Sequence, residues 1–261
     1  MNLLSRDEEL SKVFRYKGSP CTPMYYRPNL KIHSKRVEWI AFEVADFLMK
    51  NSEINIDIDL VREMARFHDD AEIITGDFLA MDKEKFSESK LKEYEKDCEN
   101  AIDILYENYK NISEKNDYKE ILLKVENKDG IEFQIVDFAD KLDSHLEITH
   151  ELFAGNEMFA IILSKWGLEV GPFDYTKNKV RKIVENILDY FGNNIDVSDT
   201  FLDMNSDFND MNCLDNSRTH NLNSLSENTG YNLYDKWIKL HFNYGGEDDI
   251  NYLTNQLEFR K

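Results

Sequence analysis

Apolar residues recur along this chain at the spacing of helices that face a core. After His33, residues Val37, Ile40, Ala41, Val44, Ala45 and Leu48 follow i, i+3, i+4 and i+7 steps, which predicts a helix with one buried stripe. A second helix is expected to start with Asp59 as its N-cap and to turn Leu60, Val61, Met64, Ala65 and His68 inward. A third, from about Ser87 to Tyr109, carries Leu91, Tyr94, Cys98, Ala101, Ile102 and Leu105 on one side. A fourth spans about Ile131 to Phe153 and is expected to stop near Gly155, a C-terminal cap. Two more are suggested around Met158–Trp166 and Val180–Phe191. No alternation of period two competes, so the expected class is all-α, with helices packed around one core.

The pattern fades after residue 192. Residues 1–192 read as the helical core. Residues 193–230 are rich in Asn, Asp and Ser and poor in apolar side chains, as in a linker. Residues 231–261 recover Leu233, Trp237, Ile238, Leu240, Ile250, Leu253 and Leu257, which suggests a C-terminal helical extension. Docking back on the core and recruiting a partner are both compatible with that stretch.

Composition narrows the function. No run approaches the roughly 20 apolar residues of a membrane helix. The start, MNLLSRDEEL, lacks the basic and apolar segments of a signal peptide, so a cytoplasmic location is expected. The net charge of -19 comes without a basic stripe and argues against a polynucleotide partner. A small phosphorylated ligand is still compatible, because a bound cation and a few Lys or Arg residues can reverse the field inside one cleft. Cys21, Cys98 and Cys213 are few, odd in number and far apart, which suits reduced thiols better than a disulfide framework or a cysteine zinc site.

The chemistry concentrates in Arg66-Phe67-His68-Asp69-Asp70-Ala71-Glu72-Ile73-Ile74-Thr75-Gly76-Asp77. An imidazole next to a carboxylate offers one nitrogen and one oxygen to a divalent cation. Glu72 lies one turn after His68, within reach of a water on such a cation. His33 opens the first helix on its buried face, so the two histidines can meet across a bundle core. A further carboxylate is expected from Val136–Asp143 on the fourth helix. A lone inward histidine is ordinarily a satisfied core residue, and acidic residues on a helix usually face solvent. The coincidence of two histidines, an adjacent Asp, Glu72 and a Thr-Gly-Asp turn favours a metal site, since buried charge is costly unless paired or metal-bound.

His33, then His68-Asp69, then an Asp on a later helix resemble the HD superfamily of metal-dependent phosphohydrolases. The longer string from His68 to Asp77 is similar to the corresponding stretch of bacterial 5′-deoxynucleotidases, which hydrolyse deoxyribonucleoside monophosphates. Ala139-Asp140-Lys141-Leu142 followed by Glu151-Leu152-Phe153-Ala154-Gly155-Asn156 resembles the same family. The resemblance covers about Lys31 to Asn156. It implies that His33, His68, Asp69 and Asp140 bind one divalent metal, with Mn, Co, Fe, Zn and Mg all open. It implies two catalytic residues: Glu72, which handles the attacking water or the leaving group, and Asp77, which sits near the sugar or the in-line water. A helical wheel places Asp143 closer to the apolar stripe than Asp140, whereas spacing to Gly155 favours Asp140. His145 and His150 lie on the same helix and could serve a second metal or the core.

The N-terminal part departs from that family, whose members place an Arg-Trp pair before the first histidine. Here no Trp precedes Trp39, and Arg15 with Tyr16, or Arg27, is the candidate phosphate clamp. The expected activity is metal-dependent hydrolysis of 5′-(deoxy)nucleoside monophosphates by water attack, the substrate being a small nucleotide. Removal of triphosphate from a deoxynucleotide, cleavage of a guanosine polyphosphate or cyclic phosphodiester, and nucleotide sensing without turnover are the alternatives. The resemblance also implies pairing as a homodimer.

Overall fold

The computed structural model describes residues 5–16, 24, 26–51, 55–77, 83, 86–128, 130–153, 156, 175, 179 and 182. Among these the structure is all-α, with one isolated bridge between Phe14 and Asn29. The Gly155 cap, the helix around Met158–Trp166, that of Val180–Phe191 apart from Lys182, the linker 193–230 and the extension 231–261 lie outside the described residues. No helix among the described residues is long and apolar enough to cross a membrane.

The described residues fall into two compact units. The first draws on the described residues within 1–23, 27–42 and 56–136, the second on those within 24–26, 43–55 and 137–182. In the first unit, α1 (Arg6–Leu10) is fixed by a capping box: Ser5 accepts from the Glu8 N–H, and the Glu8 carboxylate accepts from the Ser5 N–H. α3 (Ile58–Phe67) begins two residues earlier than its apolar pattern suggests. Asp57, not Asp59, is the N-cap, because its side chain is the one that accepts from the Leu60 N–H. α3 buries Val61, Met64, Ala65 and Phe67, where a fully buried Val, Met or Phe contributes about 1.5–3 kcal/mol each.

The helix ends at Phe67, so His68 is its C-cap rather than an interior residue. The short α4 (Glu72–Thr75) follows, and then α5 (Glu88–Tyr109) with Ser87 as its N-cap. α6 (Tyr118–Asn127) was not anticipated from the periodicity. It is capped by Asp117, which accepts from the Lys119 and Glu120 N–H groups, and it packs against α3 and α5. Tyr118 meets Phe67 edge-on at 5.1 Å. Because α6 has 10 residues and α5 has 22, it covers only part of α5. Cys98, Ala101, Ile102 and Leu105 are buried, while Leu91, expected on the same stripe, is exposed and Tyr94 half-buried.

α2 (Leu30–Asn51) and α7 (Gly130–Phe153) each contribute to both units. In the second unit α2 buries Val44, Ala45 and Leu48, and α7 buries Phe138, Ala139, Leu142 and Leu146. Glu151 ties this unit's segments together: its Oε1 accepts from the Tyr26 N–H at 2.8 Å and its Oε2 from Asn156 Nδ2 at 2.7 Å.

Candidate metal centre

Two loops and two helix ends of the first unit converge on one cluster. His33 lies in the first turn of α2, fully buried, and His68 caps α3. Their Nε2 atoms stand 3.2 Å apart. Asp69 Oδ2 is 3.3 Å from each of them. The tautomer of His68 follows from its other nitrogen. Nδ1 is 2.8 Å from the Ala65 carbonyl, which can only accept, so Nδ1 carries the hydrogen and Nε2 turns its lone pair toward His33 and Asp69.

Three donor atoms at such separations fit one divalent cation. With metal–ligand bonds of about 2.0–2.2 Å, neighbouring ligands sit about 3.0–3.5 Å apart. Two imidazoles and a carboxylate are also the donor types that borderline divalent metals accept.

A buried triad supports the turn that carries these ligands. Asp70, wholly buried, accepts from Arg6 Nε at 2.7 Å, from Arg6 Nη2 at 2.6 Å and from the Tyr118 hydroxyl at 2.6 Å. Arg6 Nη2 also donates to the Arg66 carbonyl, the last turn of α3. Nothing local in the sequence pairs Arg6 with a residue 64 positions later. The Ser5-x-x-Glu8 signature could have located α1 itself.

Glu72 opens α4 beyond the turn, rather than continuing the helix of His68. Burial, and then the charges of Asp69 and Asp77, push its carboxyl well above the ordinary range, against the opposing pull of Lys83 and Arg15. Its Oε2 is buried without a hydrogen-bond partner among the described residues. Lys83, which sequence patterns did not single out, places Nζ 3.7 Å from Glu72 Oε1 and 4.8 Å from the centre of the Tyr94 ring.

The N-terminal arm reaches the same cluster. Arg15 is buried, with Nη1 3.4 Å from Asp69 Oδ2 and its guanidinium 5.5 Å from the Tyr16 ring. Asp77 Oδ2 accepts from the Tyr16 N–H at 2.7 Å. Arg27 is half-buried in the segment ahead of α2. Asp140 belongs to the second unit, on α7, where its carboxylate pairs with Lys141. Asp143 on the same helix is fully buried and Asp140 is not, as the wheel anticipated. His145 and His150 are buried on α7, and the Tyr26 ring meets His150 edge-on at 6.0 Å.

A model of the 5′-deoxynucleotidase YfbR-like family matches residues 9–191. A 5′-deoxynucleotidase of Vibrio vulnificus (strain YJ016) is 29% identical over 139 residues, spanning 51% of this chain and 67% of that protein. Among solved structures, an HD-domain phosphohydrolase of Listeria innocua aligns with a TM-score of 0.48 and 20% identity, covering 77% of this chain and 86% of that one. A protein of Pyrococcus horikoshii aligns at 0.48 and 22%, covering 72% and 95%. The family match takes in the histidine pair, Asp69, Glu72 and the Arg15–Tyr16 arm, and on its extent the chain belongs to the YfbR-like 5′-deoxynucleotidase family.

Proposed function

We propose that the chain removes phosphate from 5′-(deoxy)nucleoside monophosphates by water attack at a single divalent-metal centre. The observation that carries this is the convergence of His33 Nε2, His68 Nε2 and Asp69 Oδ2 at 3.2–3.3 Å, with the buried Glu72 Oε2, without a hydrogen-bond partner among the described residues, close by in sequence and field. His33, His68 and Asp69 are the proposed ligands. Asp140 is the fourth that the resemblance assigns. When bound, a divalent cation neutralises phosphate charge and makes a water more acidic.

The chain's own residues do the rest. Glu72 orients the attacking water and holds its proton. Arg15, already directed at Asp69, clamps the phosphate, because a guanidinium can donate two parallel N–H groups to it. Arg27 is the second candidate for that clamp. Phosphoryl transfer asks mainly for positioning and charge stabilisation, and these groups supply both. The resemblance implies an Arg-Trp pair before the first histidine and no Trp precedes Trp39 here, so ribose and deoxyribose substrates both belong in the test. The resemblance also supports a homodimer, which light scattering would read directly.

The test is phosphate release from a panel of ribo- and deoxyribonucleoside mono- and triphosphates, with added manganese or cobalt. Turnover of monophosphates is expected. Product from triphosphates alone, or tight nucleotide binding without turnover for each metal, overturns the proposal.

A further inference from the structure

Tyr16 adopts φ 59°, a left-handed conformation that L residues other than Asn and Asp rarely take. The surrounding hydrogen bonds explain why it persists. On one side, the Arg15 N–H donates to the Pro28 carbonyl and the Leu30 N–H to the Val13 carbonyl, both at 2.9 Å, which pins the arm to the approach of α2. On the other side, the Tyr16 N–H donates to Asp77 Oδ2 at 2.7 Å. Asp77 reaches that position because Gly76 turns the chain at φ 80° and ψ 158°, a region essentially closed to residues with a Cβ. A Cβ at Gly76 would meet nothing within 4 Å among the described residues, so the requirement there is conformational. Between the two anchors lies Arg15, with its guanidinium at Asp69.

We propose that Asp77 is a positioning residue: its carboxylate locks the Tyr16 turn and so sets Arg15 beside the metal centre, and it transfers no proton. This revises the catalytic role that sequence resemblance suggests for Asp77. It rests on Arg15 being the phosphate clamp of the proposed function.

The two roles separate on conservative substitution. Asn keeps one carbonyl oxygen to accept from Tyr16 but cannot exchange a proton as a carboxylate does; Ala can do neither. The experiment uses the full metal-loaded chain as wild type, Asp77→Asn, Asp77→Ala and Gly76→Ala. It reads kcat and KM on a nucleoside monophosphate, the pH–rate profile, and the Kd for inorganic phosphate by calorimetry. Asp77→Asn should stay within about threefold of wild type in kcat/KM with the same pH profile, whereas Asp77→Ala should lose about 10–100-fold, mostly in KM. Phosphate should weaken in Asp77→Ala by the same factor. Gly76→Ala, which displaces Asp77 without altering its carboxylate, should weaken phosphate in the same way.

Loss of turnover in Asp77→Asn with phosphate affinity intact overturns the proposal in favour of proton transfer. Wild-type phosphate affinity in Asp77→Ala, or in Gly76→Ala should the former not fold, overturns it as well. If wild type turns over no nucleotide, the proposed function has failed, and the phosphate affinities alone still decide what Asp77 does.

Discussion

Replacing Arg6 with Met tests how the turn bearing His68 and Asp69 is held. Arg6 gives Asp70 two nearly parallel N–H bonds, at 2.7 and 2.6 Å, and the two residues are 5% and 0% exposed. The fold has therefore already met the desolvation cost of both charges. Without the guanidinium, Asp70 keeps only the Tyr118 hydroxyl among these partners, and the Arg66 carbonyl loses its donor. Breaking such a buried pair from one side costs about 3–5 kcal/mol. The Met side chain follows much of the arginine stem, so lost packing adds at most about 1 kcal/mol.

The uncompensated carboxylate should dominate, which makes a second expectation. In an Asp70→Asn background the buried Arg6 guanidinium has already lost its carboxylate, so Arg6→Met removes that charge, leaves none orphaned and should cost at most about 1–3 kcal/mol. Urea unfolding followed by far-ultraviolet circular dichroism at neutral pH measures all four proteins of the cycle. A coupling of about 2 kcal/mol is expected between the two positions. Additivity within about 0.5 kcal/mol would refute the claim that the pair is a closed electrostatic unit.

Two further predictions concern carboxylates with opposite duties. Glu63 accepts from Ser113 Oγ, from the Glu114, Lys115 and Asn116 N–H groups and from Asn116 Nδ2, so it staples the loop between α5 and α6, and Glu63→Gln should destabilise by about 1.5–3 kcal/mol. Burial raises the Glu63 pKa, but those hydrogen bonds outweigh it and hold the carboxyl below its usual value. The stabilisation is therefore complete above the unfolded pKa and lost as pH falls through the lower folded one, so the gap between wild type and Glu63→Gln in urea should close below about pH 4.3. Glu72→Gln should keep metal in calorimetric titration and lose about 10²–10⁴-fold in kcat; wild-type turnover in that variant would remove Glu72 from the mechanism.

The helices were legible where an apolar stripe and a cap coincide. Val37–Leu48 and Cys98–Leu105 repeat at helical spacing, and both stripes are buried. α6 escaped notice because Ile121, Leu122 and Val125 make too short a run, although Asp117 marked its start. The Asp57 cap was missed because two aspartates flank Ile58 and only hydrogen-bond geometry separates them. In the site, His33, His68 and Asp69 could be named because their neighbours place them on or beside apolar stripes. Lys83, the Arg6–Asp70–Tyr118 triad and the Tyr16–Asp77 contact could not, since each joins residues from 11 to 64 positions apart with no periodic signal. Asp77 was singled out by its motif, but its backbone partner depends on two positive-φ residues that no side-chain pattern encodes.

We propose that His33, His68 and Asp69 together hold the one cation on which hydrolysis depends. Phosphate release and metal content, measured on the same chelator-stripped samples of wild type and Asp69→Ala before and after manganese is restored, test it most directly. Wild type should lose turnover on stripping and regain it with about one equivalent of bound metal, while Asp69→Ala regains neither. Full turnover by metal-free Asp69→Ala would rule out a metal-dependent reaction at these residues.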